Sequence, residues 1–112
     1  MKEIVTSYAE LAPGLHAGSN LIASWDILVK TGQVCVEGSV MKRCYLNDPG
    51  TLVIPDNITK IDDNCFRDCM NLYVIVIPDS VTEIGYCVFT GCTDLEKLVV
   101  KNISLIESIT FK

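Results

Sequence analysis

Apolar residues recur in this chain at a fixed distance of 23 positions. Ile54 and Ile77 are 23 apart, as are Pro55/Pro78, Ile61/Ile84, Phe66/Phe89, Cys69/Cys92, Leu72/Leu95 and Ile75/Leu98, and Ile58/Val81 and Thr59/Thr82 keep the spacing. A period of about 20 to 29 residues marks a coil of stacked turns, each a short strand plus a return arc, whose inward positions are buried only when the next turn stacks on them. The pattern predicts strands at Thr51–Ile54, Val74–Ile77 and Lys97–Val100. Their inward residues are Leu52/Ile54, Ile75/Ile77 and Leu98/Val100, and period-two alternation turns Val53, Val76 and Val99 outward into a column, with Cys35 as a candidate fourth member.

The flanks of the repeat are degenerate. Upstream, QVCVEGSV places Val34, Val36 and Val40 each 18 residues before Leu52, Ile54 and Ile58, which reads as a shortened turn carrying a fourth strand. A local hairpin through Glu37-Gly38-Ser39 is the competing reading. Downstream, KNISLIESITFK fits the repeat if one residue is deleted, with Ile103, Ile106 and Phe111 in the places of Val81, Ile84 and Phe89. The first third has a different period. Ile4, Val5, Tyr8 and Leu11 form one stripe of a helix ended by Pro13-Gly14, and Leu21, Ile22, Trp25, Leu28 and Val29 form another, opened by Ser19-Asn20 and closed by Gly32. Two short amphipathic helices, 2–12 and 20–31, are expected to cap the apolar first turn.

The pattern I-P-x-x-V-T-x-I-x-x-x-x-F-x-x-C-x-x-L-x-x-I-x-I resembles the BspA-like (treponemal-type) class of leucine-rich repeats over about residues 46–112. The resemblance implies a right-handed curved solenoid with a parallel strand ladder on one face and a role in binding proteins or cell surfaces. It also implies that cysteine at the repeated position is core filler. Many members of the class are large, secreted adhesins.

Charge changes the picture by exclusion. Nine basic against fourteen acidic residues give a net charge of −5, and the one local basic cluster is Lys42-Arg43. This argues against nucleic acid, whose phosphates need clustered Lys and Arg. The apolar fraction is 49%, yet no run approaches the roughly 18 apolar residues of a membrane span. The opening MKEIVTSYAE lacks the basic and apolar regions of a signal peptide. A cytoplasmic location is the expectation.

Six cysteines and one histidine, His16, are the candidates for chemistry. Cys69 and Cys92 occupy the same repeat position, so they stack at about the 4.7–4.9 Å ladder spacing, where buried thiols or a disulfide are both geometrically open. The C-x₃-C and C-x₄-C spacings with a single distant histidine do not make a zinc site. Asp62-Asp63-Asn64 lacks the spacing and distal Glu of a calcium loop. Neither a nucleophile with its base nor a phosphate loop is visible. Asn57-Ile58-Thr59 and Asn102-Ile103-Ser104 match the glycosylation sequon, which matters only in a secreted eukaryotic protein. No cofactor is expected, nor an enzyme.

The expectation is an α+β chain in which a helical cap (1–33) and a leucine-rich-repeat solenoid (34–112) form one compact domain. Its function would be non-enzymatic protein binding, with Val53, Val74, Val76, Lys97 and Val99 as the contact face, since a continuous apolar column is where such stacks bind. The alternatives are a small inhibitor or effector docking on a target enzyme through its helices, and a truncated surface adhesin. At the carboxyl-terminal side, Ile103, Leu105, Ile106, Ile109 and Phe111 outnumber the polar groups that could shield them. Either that segment folds back over the last turn or a second copy covers it, which makes a two-fold homodimer an expected partner.

Overall fold

The 23-residue offset of the sequence reappears in a computed structural model as hydrogen-bonded register. The structure describes residues 3–5, 24–46 and 49–109. Strands β4 (Gly50–Val53), β6 (Leu72–Ile77) and β8 (Lys97–Val100) run parallel, pairing Leu52 with Ile75 and Ile75 with Leu98, then Val53 with Val76 and Val76 with Val99. The arcs before β4 and after β4 and β6 also contribute to a second ladder. There β3 (Val40–Cys44), β5 (Lys60–Ile61) and β7 (Glu83–Ile84) pair in parallel, Met41 with Ile61 and Ile61 with Ile84.

The main core lies between the two sheets. Leu52, Ile54, Ile58, Ile61, Phe66, Leu72, Ile75, Ile77, Val81, Phe89, Leu95 and Leu98 are all buried in one cluster. The arcs joining the strands are tied by backbone bonds as well as by packing. Asn64 N–H donates to Tyr86 at 2.9 Å, Phe66 N–H to Val88 at 3.0 Å and Asp68 N–H to Thr90 at 2.8 Å. The arc needs two left-handed residues per turn, and they fall at equivalent places: Asn64 and Cys87 (φ 61° and 55°), then Asp68 and Gly91 (φ 63° and 79°).

Of the two upstream readings, the hairpin is the one found. Strand β2 (Val34–Glu37) runs antiparallel to β3 through Gly38-Ser39, and Gly38 takes φ +62° as the first central residue of a two-residue turn demands. The 18-residue offset to Val40 is therefore corrected. Val40 pairs with Lys60, in the second sheet. A Gly-Ser turn closes a hairpin without long-range help, whereas the shortened turn would have needed partners far along the chain.

Helix α1 (Trp25–Lys30) buries Leu28 and packs the half-buried Trp25 against the core. Its end is a Schellman motif: Gln33 N–H donates to Leu28 and Gly32 N–H to Val29, with Gly32 at φ +76°. The start expected at Ser19-Asn20 lies outside the described residues, and Ser24 occupies the N-cap. The helix expected over 2–12 is corrected at residues 3–5, which form strand β1 (Glu3–Val5) parallel to β8, with Ile4 opposite Leu98 and Val5 opposite Val99. Two β-branched residues in succession suit a strand, and the edge of β8 offers unpaired backbone, so tertiary pairing overrides the helical stripe. The remainder of that span and His16 lie outside the described residues. The first sheet thus has the order β1-β8-β6-β4 and the second β2-β3-β5-β7.

Past β8 the chain folds back as a 3₁₀-helix, η1 (Ile103–Ser108), started by Asn102, whose side chain accepts from Ser104 N–H and donates to Val81 O at 3.1 Å. Leu105 is the residue it buries, while Ile103 is 67% exposed, so Ile103 does not take the buried place that Val81 has, and that expectation is corrected. Ile106 and Ile109 pack against the core from partly buried positions. Of the two expectations for this flank, the fold-back is what the structure shows: η1 packs beside β7 and β8, and β1 pairs with β8. Phe111 lies outside the described residues.

Candidate interaction surface

The expected contact column exists in register, but it is not exposed. Val53, Val76 and Val99 stand opposite one another across β4, β6 and β8. Yet Val74 and Val99 are 0% exposed and Val76 1%, and with the partly buried Val53 they form a second small apolar cluster on the other face of the sheet. Lys97 is half-buried. The expectation of an open apolar face is thereby corrected. The run VIVI of β6 is apolar at every position, which is the signature of a parallel sheet covered on both faces rather than of one with a wet side.

Exposed apolar surface lies elsewhere. The three described tyrosines, Tyr45, Tyr73 and Tyr86, are 62%, 39% and 82% exposed. Tyr86 follows the edge strand β7 of the second sheet by two residues and lines a groove of about 670 Å³ with Asp63, Thr82, Glu83, Ile84 and Glu107 among others. The backbone there follows the ladder of the preceding turn, in which the carbonyls of Thr59 and Ile61 accept from Thr82 N–H and Gly85 N–H, each at 2.9 Å. By the same register the carbonyls of Thr82 and Ile84 point away from β5, towards the groove that these residues line. Asp63 is fixed beside it, its carboxylate accepting from Tyr86 N–H at 2.7 Å. A side chain at Gly85 would run into the Asp63 backbone, with N at 2.6 Å and Cα at 2.9 Å from an ideal Cβ. The groove wall is therefore held in one arrangement.

Charge around this edge is mixed and mainly acidic. Lys60 reaches Glu83 at 3.6 Å, and Lys42 pairs with Asp62 at 2.7 Å on the turn before. The hydrogen bond between Lys42 and Asp62 holds the Asp62 carboxyl below the usual carboxylate range and the Lys42 amine above its ordinary value. Asp63, Glu83 and Glu107 set a net negative balance in the groove against Lys60.

The cysteines are unbridged thiols, Cys35 and Cys44 in strands β2 and β3 and the other four in the arcs. Cys44, Cys65, Cys69 and Cys92 are buried, Cys35 is half-buried and Cys87 exposed. Cys69 Sγ donates to Cys44 O at 3.2 Å and Cys92 Sγ to Phe66 O at 3.0 Å, so each repeated cysteine bonds the backbone of the turn before it. Burial pushes the Cys65 thiol well up, and the hydrogen bond to Cys44 followed by burial does the same to Cys69. Cys69 and Cys92 cap carbonyls inside the core. Among the described residues, no three His, Cys, Asp or Glu side chains are grouped to hold a metal ion. No described helix is long and apolar enough to cross a membrane.

Reading from the sequence missed the tyrosines and the β7 edge, because neither stands out from the repeat. Tyr86 falls where the preceding turn has Asp63 and Tyr73 where the following turn has Glu96. The available signal was that an aromatic residue departs from a polar one at an arc position.

No curated protein and no solved structure matches the chain. A family model described as BspA type leucine rich repeat region (6 copies) matches residues 38–112, about two thirds of the sequence. The match begins at Gly38, in the turn that leads into β3, the first strand of the parallel ladder of the second sheet. With its stacked turns and cysteine-capped arcs, the chain belongs to the BspA-type leucine-rich repeat family.

Proposed function

We propose that the chain is a protein-binding module on a miniature solenoid, and that its contact surface is the edge of β7 rather than the strand face. The observation that carries this reading is the conjunction at one place of a strand edge, a groove and Tyr86, the most exposed of the described large apolar residues at 82%. Tyrosine is enriched where proteins meet, because it offers a large rigid apolar body with a polar tip. The carbonyls of Thr82 and Ile84 suit an extended segment that adds to the sheet as a further strand. The carboxylates of Asp63, Glu83 and Glu107 favour basic side chains on that segment. The partner is therefore a protein presenting an extended, basic stretch.

In this reading residues 1–33 serve as the cap. A second reading has its own support: α1 exposes Ile27 and Val29 at 52% and 39%, beside a cleft lined by Trp25, Val29 and Val36, which suits a helix that docks on a target enzyme. Affinity capture separates them. Proteins retained by the wild type and lost by Tyr86→Ala or Glu107→Lys support the β7 edge. Retention by both variants, with loss on Ile27→Asp, supports the helix and overturns the edge.

A further inference from the structure

The chain has two arginines, Arg43 and Arg67, and both guanidinium groups reach the same residue. Arg43 Nη1 donates to the carbonyl of Asn64 at 3.0 Å, and Arg67 Nη1 to its side-chain Oδ1 at 3.3 Å. Two like charges are thus directed at one neutral residue, one to its backbone carbonyl and one to its side-chain carbonyl. In a chain with fourteen acidic residues this is unexpected, since each of the lysines Lys42 and Lys60 is paired with a carboxylate. Among the described residues, no carboxylate lies within the 4 Å of an ion pair from either arginine.

Three further observations concern the same place. Arg43 Nε is buried with no hydrogen-bond partner, so part of this guanidinium has given up water without receiving an acceptor in exchange. Arg43 lies over the ring of Tyr45 at 5.7 Å, which fixes the plane of its donors. Between the two arginines is a hollow of about 270 Å³ whose walls include Arg43, Tyr45, Leu46, Arg67 and Asp68. Among the described residues Asp68 is the one carboxylate in that wall, and its Oδ1 lies against Gly91 on the next turn.

We propose that Arg43 and Arg67 form a binding site for an oxyanion, a carboxylate or a phosphate group seated between the two guanidinium forks. A planar guanidinium presents paired N–H donors that match such oxygens, and an incompletely solvated one binds them more strongly than an exposed one. Asn64 acts as the positioning residue, because its left-handed backbone (φ 61°) turns both its carbonyl and its side chain to the arginines. The hollow, of about 270 Å³, admits a single carboxylate or phosphate group. The site lies on the Arg43–Arg67 arc and does not depend on the reading of the β7 edge.

Because there are two arginines, nitrogen–proton NMR of the arginine Nε groups gives two signals, assigned with Arg43→Lys and Arg67→Lys. The full chain is titrated with inorganic phosphate, with acetate and with chloride at matched ionic strength. Saturable movement of both signals with phosphate or acetate, absent with chloride, is the expected result, and the more effective anion identifies the source as phosphate or carboxylate. Arg67 is an exposed arc residue, so Arg67→Gln leaves the fold in place. It should weaken binding about tenfold, the loss of one charge-assisted hydrogen bond. Equal, non-saturating shifts with all three salts mean simple screening and overturn the proposal, as does undiminished affinity in Arg67→Gln.

Discussion

Phe66 and Phe89 lie in adjacent turns with ring centroids 5.7 Å apart and planes inclined by 9°, a parallel stack inside the core. Both are fully buried, so each ring is a floor for the other. Phe89→Ala should cost about 3–5 kcal/mol, the usual range for deleting a buried aromatic. Urea melts measure it, and a loss below about 1 kcal/mol would contradict the packing, given the cavity such a deletion leaves.

The thiols should react in two classes. Cys87 is exposed and Cys35 half-buried, while Cys44, Cys65, Cys69 and Cys92 are buried. Thiol titration of the native protein should label Cys87 fast and Cys35 slowly, and denaturation without reductant should release all six. Because burial raises Cys65 and hydrogen bonding raises Cys69, their thiolates stay unpopulated as pH rises through the ordinary thiol range near 8.5. Raising the pH of the native protein should therefore not bring these two into reaction. A denatured count below six would reveal a disulfide.

Backbone conformation gives a stabilising substitution. Cys87 holds φ 55° where the preceding turn has Asn64 at φ 61°. Asparagine tolerates the left-handed region better than cysteine, and Cys87 is exposed, so no packing is lost. Cys87→Asn should raise stability by about 0.5–1 kcal/mol. Gly85→Ala should do the opposite, costing about 1–3 kcal/mol as its Cβ displaces the Asp63 backbone. Thermal melts of both variants give the two signs in one experiment.

The Lys42–Asp62 pair predicts a small acid effect. Asp62 has its folded pKa lowered, so its contribution is full above the unfolded value of about 3.9 and is lost as pH falls through the lower folded one. Lys42, with its pKa raised, loses its share only as pH rises through that raised value. Both side chains are solvent-accessible and screened. Asp62→Asn should remove a minor part of the acid dependence below about pH 4 and leave stability near neutrality almost unchanged, as paired urea melts across pH will show.

Much of this fold was legible because a repeat states its own register. The offset that pairs Ile54 with Ile77 in sequence also pairs Leu52 with Ile75 and Ile75 with Leu98 in space. Alternation likewise separated the inward Leu98 from the column residue Val99. What alternation cannot tell is whether a further layer lies over the second face, and so the exposure of Val76 and Val99 was misjudged. Strand β1 was illegible for another reason: three residues carry no period, and their partner is at residues 97–99. The arginine site escaped notice because Arg43 and Arg67 are brought together by the αL backbone of Asn64, which no local pattern announces.

The pairing of β1 with β8 has a further test. Those three residues cover the edge of the first sheet that β8 would otherwise present. Removing residues 1–5 should leave that edge open to pairing with another molecule. Light scattering at micromolar concentration should then show mass growing with concentration, where the intact chain shows one constant mass.

The same pairing bears on how the chain acquires its structure. A stack of repeats ordinarily folds as a row of neighbours, each turn helped only by those beside it, so that part of the row can melt alone. Here Glu3 is bonded opposite Lys97. Forming that contact requires closing nearly the whole chain into a loop, an entropic cost that falls on the rate of folding. During synthesis β1 has to wait for the last strand of its sheet before it has a partner. The clasp thus converts a row that could fray from one side into a ring that opens all at once, and a nascent chain cut short before β8 lacks it altogether.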